Sequence, residues 1–416
     1  MAFTGHFPDE IILEIFAYLS CSSLASTSQA SHRFHAISQP LLYRAPVLIT
    51  NPRTQDTLEI FLNSLLTPGR EWLAYHVQSL TLQLYRPRAG VGVTPEIATV
   101  ASRLMINWQP LTAQYTYLVI LLNLLPRLRT IDFSPPHSNR GFDQFLTETR
   151  LAPLITFHPE GLPIALQSLR EFRCIQRDNS HGLTAVAPIA LMNLPSIRII
   201  EIHLDTADNS YLSTCTGNPS SNVTDLRLSY EGAIFWSFQT ILKIPRALER
   251  FSCTVTSDEG YFLPTLKNSL EPLRNSLQSL RLDFTEVTET YSSEDEDEDD
   301  LVAHVIKPLR DWPVLRTVMT SLMPLLGMGL WPDSPRLVDV LPVGIRELEI
   351  LSDYYWSPVE TVREVLEMLG EKMVMVPALE KLAVLTAERL KPEARERLRV
   401  ACDAAGVTLV EDTSSW

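Results

Sequence analysis

One short phrase recurs along the chain: an apolar residue, two others, a second apolar residue, one other, a third apolar residue. It reads Val77-x-x-Leu80-x-Leu82, Leu128-x-x-Ile131-x-Phe133, Leu169-x-x-Phe172-x-Cys174 and Ile197-x-x-Ile200-x-Ile202. It continues as Val223-x-x-Leu226-x-Leu228, Leu248-x-x-Phe251-x-Cys253 and Leu277-x-x-Leu280-x-Leu282, and returns as Ile345-x-x-Leu348-x-Ile350 and Leu379-x-x-Leu382-x-Val384. A degenerate copy stands around Leu315 and Val318. The closing apolar–x–apolar step has a strand period, which puts both side chains on one face. The leading apolar residue closes the turn that enters the strand. Central copies lie about 25 to 30 residues apart, with longer intervals outside, as expected when one strand and one helix make each unit.

Proline often precedes the phrase (Pro126, Pro195, Pro313, Pro377), where a helix gives way to extended chain. Helices are expected between strands. The clearest opens at Ser357-Pro358-Val359-Glu360, with serine at the N-cap, proline at the first position and glutamate three residues on. Val362, Val365, Leu366 and Leu369 then make a buried stripe, and Gly370 supplies a stop. A second helix spans Thr57 to Leu66, closing before Pro68-Gly69. The array resembles leucine-rich repeats but departs from the regular kind: three copies hold Asp205, Glu231 and Thr285 where the asparagine or cysteine ladder belongs. The fold expected for residues 46–416 is therefore α/β, an irregular leucine-rich-repeat-like solenoid with a curved parallel sheet and helices on its convex side. Ordinary α/β units in a closed domain are the alternative.

The first forty-odd residues read differently. Phe7 to Leu19 forms one helix, with Pro8 at its entrance and Asp9 and Glu10 at the positive end of its dipole. Ile11, Ile12, Ile15, Phe16 and Leu19 recur at three- and four-residue spacing and give one wide apolar face. Leu13 falls off that face, which points to a second contact surface. Ser22-Ser23 before Leu24 cap a second helix, Ser31 caps a third carrying Phe34 and Ile37, and Pro40 ends it. Three helices in so few residues make a core too small to stand alone. Such a unit needs a partner or a neighbouring domain to cover its apolar faces.

The string Phe7-Pro8-Asp9-Glu10-Ile11-Ile12-Leu13-Glu14-Ile15-Phe16-Ala17-Tyr18-Leu19-Ser20 resembles the start of an F-box, as do Leu24, Ser28, Ser31, Phe34 and Ile37 in their later positions. The ending Pro40-Leu41-Leu42-Tyr43-Arg44 is similar to many fungal members. Phe7 replaces the usual leucine and Phe34 the frequent tryptophan; both keep bulk and apolarity. The resemblance covers about a tenth of the chain, residues 1–45. It implies a non-catalytic, substrate-recognition subunit of an SCF-type cullin–RING ubiquitin ligase. Pro8, Ile12, Leu13, Ile15, Phe16, Leu19 and Leu24 would grip a Skp-type adaptor, and through it a cullin, while the solenoid holds a target protein. The alternative is a binding scaffold outside any ligase, with the leading helices merely capping the array.

Composition narrows the classes further. With 45% hydrophobic and 20% charged residues the chain is ordinarily globular, and 29 prolines against 15 glycines favour helix and strand stops over tight sheet turns. Half of the net charge of −14 sits in the run Glu294 to Asp300. A mildly acidic remainder argues against nucleic-acid binding. Neither an apolar leader nor an apolar span of membrane length is present; the window from Tyr117 to Leu125 is broken by Asn123 and closed by Pro126. Cys21, Cys174, Cys215, Cys253 and Cys402 are scattered and odd in number, which fits a reduced compartment, cytoplasmic or nuclear.

Phosphate-binding, zinc-protease and serine-hydrolase signatures are absent, so no cofactor, metal or catalytic residue is expected. Gly90-Val91-Gly92 reads as a loop, and His32 and His35 face solvent. The acidic run reads as a disordered, solvated loop at about residues 291–300 inserted between repeats. Serine followed by acids also suits acid-directed kinases, which makes Ser292 and Ser293 candidate phosphorylation sites. Trp331, Tyr354, Tyr355 and Trp356 fall near strand ends, as does Trp236; exposed they would anchor a target, buried they would be core.

Overall fold

The computed structural model describes residues 7–49, 57–83, 94–103, 113–134, 166–174, 189, 191–192, 194–205, 221–231, 240–255, 266, 268–284, 308–327, 335–351, 356–385 and 390–410. The chain divides into two compact units, Met1–His181 with Asn193–Ile197, and Gly182–Met192 with Arg198–Trp416.

The first unit opens with α1 (Asp9–Phe16), α2 (Cys21–Ser28) and α3 (His32–Leu42). The Ser20 hydroxyl caps α2 by accepting from the Ser23 N–H, so the cap lies ahead of the Ser22-Ser23 pair expected to supply it. Ser31 caps α3 as expected, accepting from the Phe34 N–H at 3.1 Å. Pro40 does not end α3. It removes a single donor near the helix end, and the Tyr43 N–H still reaches the Gln39 carbonyl, so the helix runs on to Leu42. β1 (Val47–Ile49), α4 (Thr57–Leu66), β2 (Ser79–Gln83), α5 (Pro95–Arg103), α6 (Ala113–Leu124), β3 (Thr130–Ser134) and β4 (Glu171–Cys174) follow. α4 has the bounds its sequence predicts, and the chain turns beyond it at Gly69, where φ is +80°. β1 to β4 pair in parallel in chain order, aligning Leu80 with Ile131 and Phe172, and Leu82 with Phe133 and Cys174. Tyr117 to Leu122 of α6 are buried without a polar face. Among the described residues no helix is long and apolar enough to cross a membrane.

The second unit carries β5 (Ile199–Asp205), β6 (Asp225–Glu231), β7 (Arg250–Val255), β8 (Ser279–Asp283), β9 (Thr317–Ser321), β10 (Glu347–Leu351), β11 (Lys381–Val384) and β12 (Thr408–Val410). These also pair in parallel, each with its neighbour in sequence. One core row runs Ile200, Leu226, Phe251, Leu280, Val318, Leu348, Leu382. The row beside it runs Ile202, Leu228, Cys253, Leu282, Thr320, Ile350, Val384. All ten copies of the phrase, the degenerate one included, thus become strands, and their leading residues are at most 1% exposed. Thr320 is the one polar member of these two rows. It is fully buried, and its Oγ1 has no hydrogen-bond partner among the described residues. β1 and β12 have no matching phrase; each is three residues long and has one strand neighbour among the pairs within its unit.

α7 (Pro358–Met375) has the predicted capping box: Ser357 Oγ accepts from the Glu360 N–H, and the Glu360 carboxylate accepts from the Ser357 N–H at 3.1 Å. Gly370 does not stop it. A mid-helix glycine costs only about 1 kcal/mol, and the helix ends five residues later, at Met375, before Val376, which Pro377 holds out of the α region. The buried stripe accordingly takes Met368 with Val362, Val365 and Leu369, while Leu366 is half-buried. α8 (Pro392–Ala405) closes on Gly406 in the left-handed region, φ +65°.

At the strand entrances the backbone repeats one device. The carbonyl two residues before the phrase's second apolar position accepts from two consecutive N–H groups of the next unit. Gln78 O takes Arg129 N at 2.7 Å and Thr130 N at 3.1 Å; Arg198 O takes Thr224 N and Asp225 N; Arg346 O takes Glu380 N and Lys381 N. A carbonyl oxygen has two lone pairs, so the turn is satisfied by main chain alone. The side chains at these positions are then free to vary, and unit length can drift without breaking the sheet.

Candidate functional site

The three leading helices close around Ile12, Phe16 and Leu24, with Leu19, Phe34, Ile37, Leu41 and Leu42 partly buried against them. The Phe16 and Phe34 rings meet edge to face at 5.4 Å, a geometry that aligns a ring edge with a π face. Arg33 ties α3 to the entrance of α1: its Nη2 donates to Asp9 Oδ1 and to the Phe7 carbonyl, both at 2.6 Å. The Arg33–Asp9 pair is exposed, so it fixes orientation more than it adds stability.

This core leaves much of α1 uncovered. Phe7 (51%), Ile11 (46%), Ile15 (52%) and Tyr18 (88%) are exposed. Ile11 and Ile15, four residues apart on α1, and Tyr18 in the turn that follows it make one stripe, while Phe7 precedes the extended N-cap Pro8 and lies off the helix. The broad face expected from the sequence is therefore two stripes about 100° apart. Ile12, Phe16 and Leu19 turn inward, and Ile11 and Ile15 turn outward. Leu13, 41% exposed, leaves by a third direction, over a groove of about 620 Å³ that Ile37, Pro40, Leu41, Arg44 and His76 also line.

Of the residues expected to meet an adaptor, Leu13, Ile15 and the exposed N-cap Pro8 are presented to solvent. Ile12, Phe16 and Leu24 are 5–6% exposed and hold the helices together, while Leu19 is half-buried in the same cluster. They support the surface rather than form it. The outward Phe7, Ile11 and Tyr18 were not among the expected contacts. For Ile11 and Tyr18, the four- and three-residue spacing to Ile15 is the signal that separates them from the inward set.

The proposed target anchors divide as well. Trp356 is 4% exposed, and its indole N–H donates to the Gly327 carbonyl at 2.9 Å, so it is a core residue. Trp331, Tyr354, Tyr355, Trp236, Ser292, Ser293, the acidic run, Thr285, Cys215 and Gly90-Val91-Gly92 lie outside the described residues. His32 and His35 are exposed, and Cys174, Cys253 and Cys402 are buried. Burial pushes the Cys253 thiol well above its ordinary range and the Cys402 thiol up to about 11, which leaves both protonated at neutral pH. Among the described residues no cluster of His, Cys, Asp or Glu is arranged to hold a metal ion.

The chain thus opens with a small helical unit that leaves an apolar face exposed, followed in sequence by a repeating array of parallel strands. A family profile described as F-box-like matches residues 4–49, so the chain carries an F-box-like domain at its leading helices. No curated protein matches the chain. Solved structures similar to it include the complex of Rad7 and Elc1 from yeast, at 14% identity and TM-score 0.37, covering 98% of this chain and 93% of that one. A TLR13 complex with a single-stranded RNA is similar at 14% identity and TM-score 0.34, covering 76% of this chain and 40% of the other.

Proposed function

We propose that the chain is the substrate-recognition subunit of an SCF-type cullin–RING ubiquitin ligase. In this reading the F-box-like helices bind a Skp-type adaptor, and a cullin through it. The leucine-rich-repeat-like array holds a target protein in the cytoplasm or nucleus. The contribution to ubiquitin transfer is proximity, with the chemistry done by other subunits. What carries the reading is the α1 surface: Ile11, Leu13, Ile15 and Tyr18 stay exposed on a unit too small to cover them, within the segment matched as F-box-like.

The test is binary binding between the full chain and a Skp-type adaptor. Ile15 and Leu13 each have roughly half a side chain left to bury, worth about 1 kcal/mol apiece. Aspartate there adds a charge to desolvate. Leu13→Asp with Ile15→Asp is expected to weaken binding by about 100-fold or more while the melting of the chain is unchanged. Unaltered affinity in that variant would overturn the assigned surface, and a folded wild-type chain that binds no adaptor would favour a scaffold outside any ligase.

A further inference from the structure

The strands of the second unit carry their alternate residues on the face opposite the core, and one row there reads Arg281, Met319, Glu349, Ala383, Val410. Met319 and Ala383 are the direct cross-strand neighbours of Glu349, about 4.8 Å away on either side. Together these residues line a groove of about 310 Å³ with an apolar floor.

The charges along this groove pair off, with one exception. Asp225 takes Arg227 at 3.0 Å and Arg250 at 2.9 Å, and Arg227 also approaches Glu201. Lys381 meets Glu347 at 2.7 Å, and Arg281 is held by Asp283 at 3.4 Å. Glu349 has neither a hydrogen bond nor an ion pair within 4 Å among the described residues, although it is only 8% exposed. Arg281 is two strands away with Met319 between them, so its guanidinium acts on Glu349 only at a distance. Burial raises the Glu349 carboxyl above its ordinary range, as expected of an acid with no close cation. Buried carboxylates are normally paired, and an unpaired one facing an apolar-floored groove is a half-made ion pair.

We infer that this groove seats a lysine or arginine side chain of the target protein, with Glu349 pairing the cation and Met319, Ala383 and Val410 covering its aliphatic stem. The groove's chemistry stands on these residues alone; that its occupant belongs to a ubiquitylation target rests on the receptor reading above. Long basic side chains suit such a site because their stems bury on apolar surface while the head keeps a polar contact.

The test uses the full chain labelled with ¹³C at methionine and alanine methyls, titrated with n-butylammonium and n-butylguanidinium. The uncharged n-butylurea is the isosteric control. Both cations are expected to shift the Met319 and Ala383 methyls saturably, with apparent affinity at least tenfold above that of butylurea. Glu349→Gln is expected to remove that difference. An equal response to butylurea, or a cation response kept in Glu349→Gln, would overturn the inference. Should that variant not fold, Met319→Lys places an ammonium of the chain itself beside Glu349 and is expected to block butylammonium at Ala383; a persisting Ala383 response would overturn it as well. Adaptor binding, measured on the same samples, decides the receptor reading separately, so the two fail independently.

Discussion

Replacing Thr320 by valine is expected to stabilise the chain. Thr320 sits in a core row of the second unit, between Leu282 of β8 and Ile350 of β10, with no exposed surface. Its hydroxyl oxygen finds no partner among the described residues. Leaving such a group buried and unsatisfied costs about 1–3 kcal/mol. Valine keeps the shape and the β-branched rotamer preference of a strand residue, so no cavity opens and no atom is added. The methyl that replaces the hydroxyl also meets apolar neighbours on both sides. The expected gain is about 1–2 kcal/mol, within the penalty for a buried unsatisfied polar group. Urea unfolding of the full chain should show a higher midpoint at an unchanged slope, and amide exchange in β9 should slow by about 5- to 30-fold. A destabilised variant, or one within about 0.3 kcal/mol of wild type, would mean that the hydroxyl is satisfied and would refute the reasoning.

Two further outcomes follow from particular side chains. Phe16→Ala removes a ring that is 6% exposed and packed edge to face on Phe34, so about 3–5 kcal/mol should be lost and amide exchange through α1 to α3 should accelerate; unchanged protection there would contradict the inward assignment. The raised Glu349 carboxyl binds its proton more tightly folded than unfolded. Stability on this account falls as pH climbs from the ordinary carboxyl range, 4.5, through the folded value, and Glu349→Gln should flatten that slope and be the more stable form at neutral pH. Urea melts across pH 4 to 8 read the difference, in the presence of Arg281 and Asp283, whose charges act on Glu349 in opposite directions.

Much of the array was legible because its signal is local. Apolar residues two apart, preceded by a third at fixed distance, force both a strand and its register, since a slip by one would turn every core side chain outward. The caps at Ser31 and Ser357 were legible for the same reason: donor and acceptor lie within one helical turn. Where the outcome depended on neighbours, sequence was a weaker guide. Ile11 and Ile12 are equally apolar, and only the placement of α3 decides that Ile12 is covered and Ile11 is not. Gly370 and Pro40 look like stops, but each costs little enough for the surrounding helix to run through. β1 and β12 were missed because short outer strands carry few core contacts and hence no phrase. The Glu349 groove was invisible for a deeper reason. Arg281, Met319, Glu349 and Ala383 occupy the variable positions of the phrase in different repeats, Val410 lies on a strand without the phrase, and they come together only through the sheet.

The most direct test of the central claim, that the outer stripe of α1 is the docking surface, is site-directed photo-cross-linking. A benzophenone side chain at Tyr18, the most exposed residue of the stripe, is predicted to form an adduct with a Skp-type adaptor; the same group at Val374, also widely open at 80% but on α7, is not. An adduct at Val374 with none at Tyr18 would contradict the account.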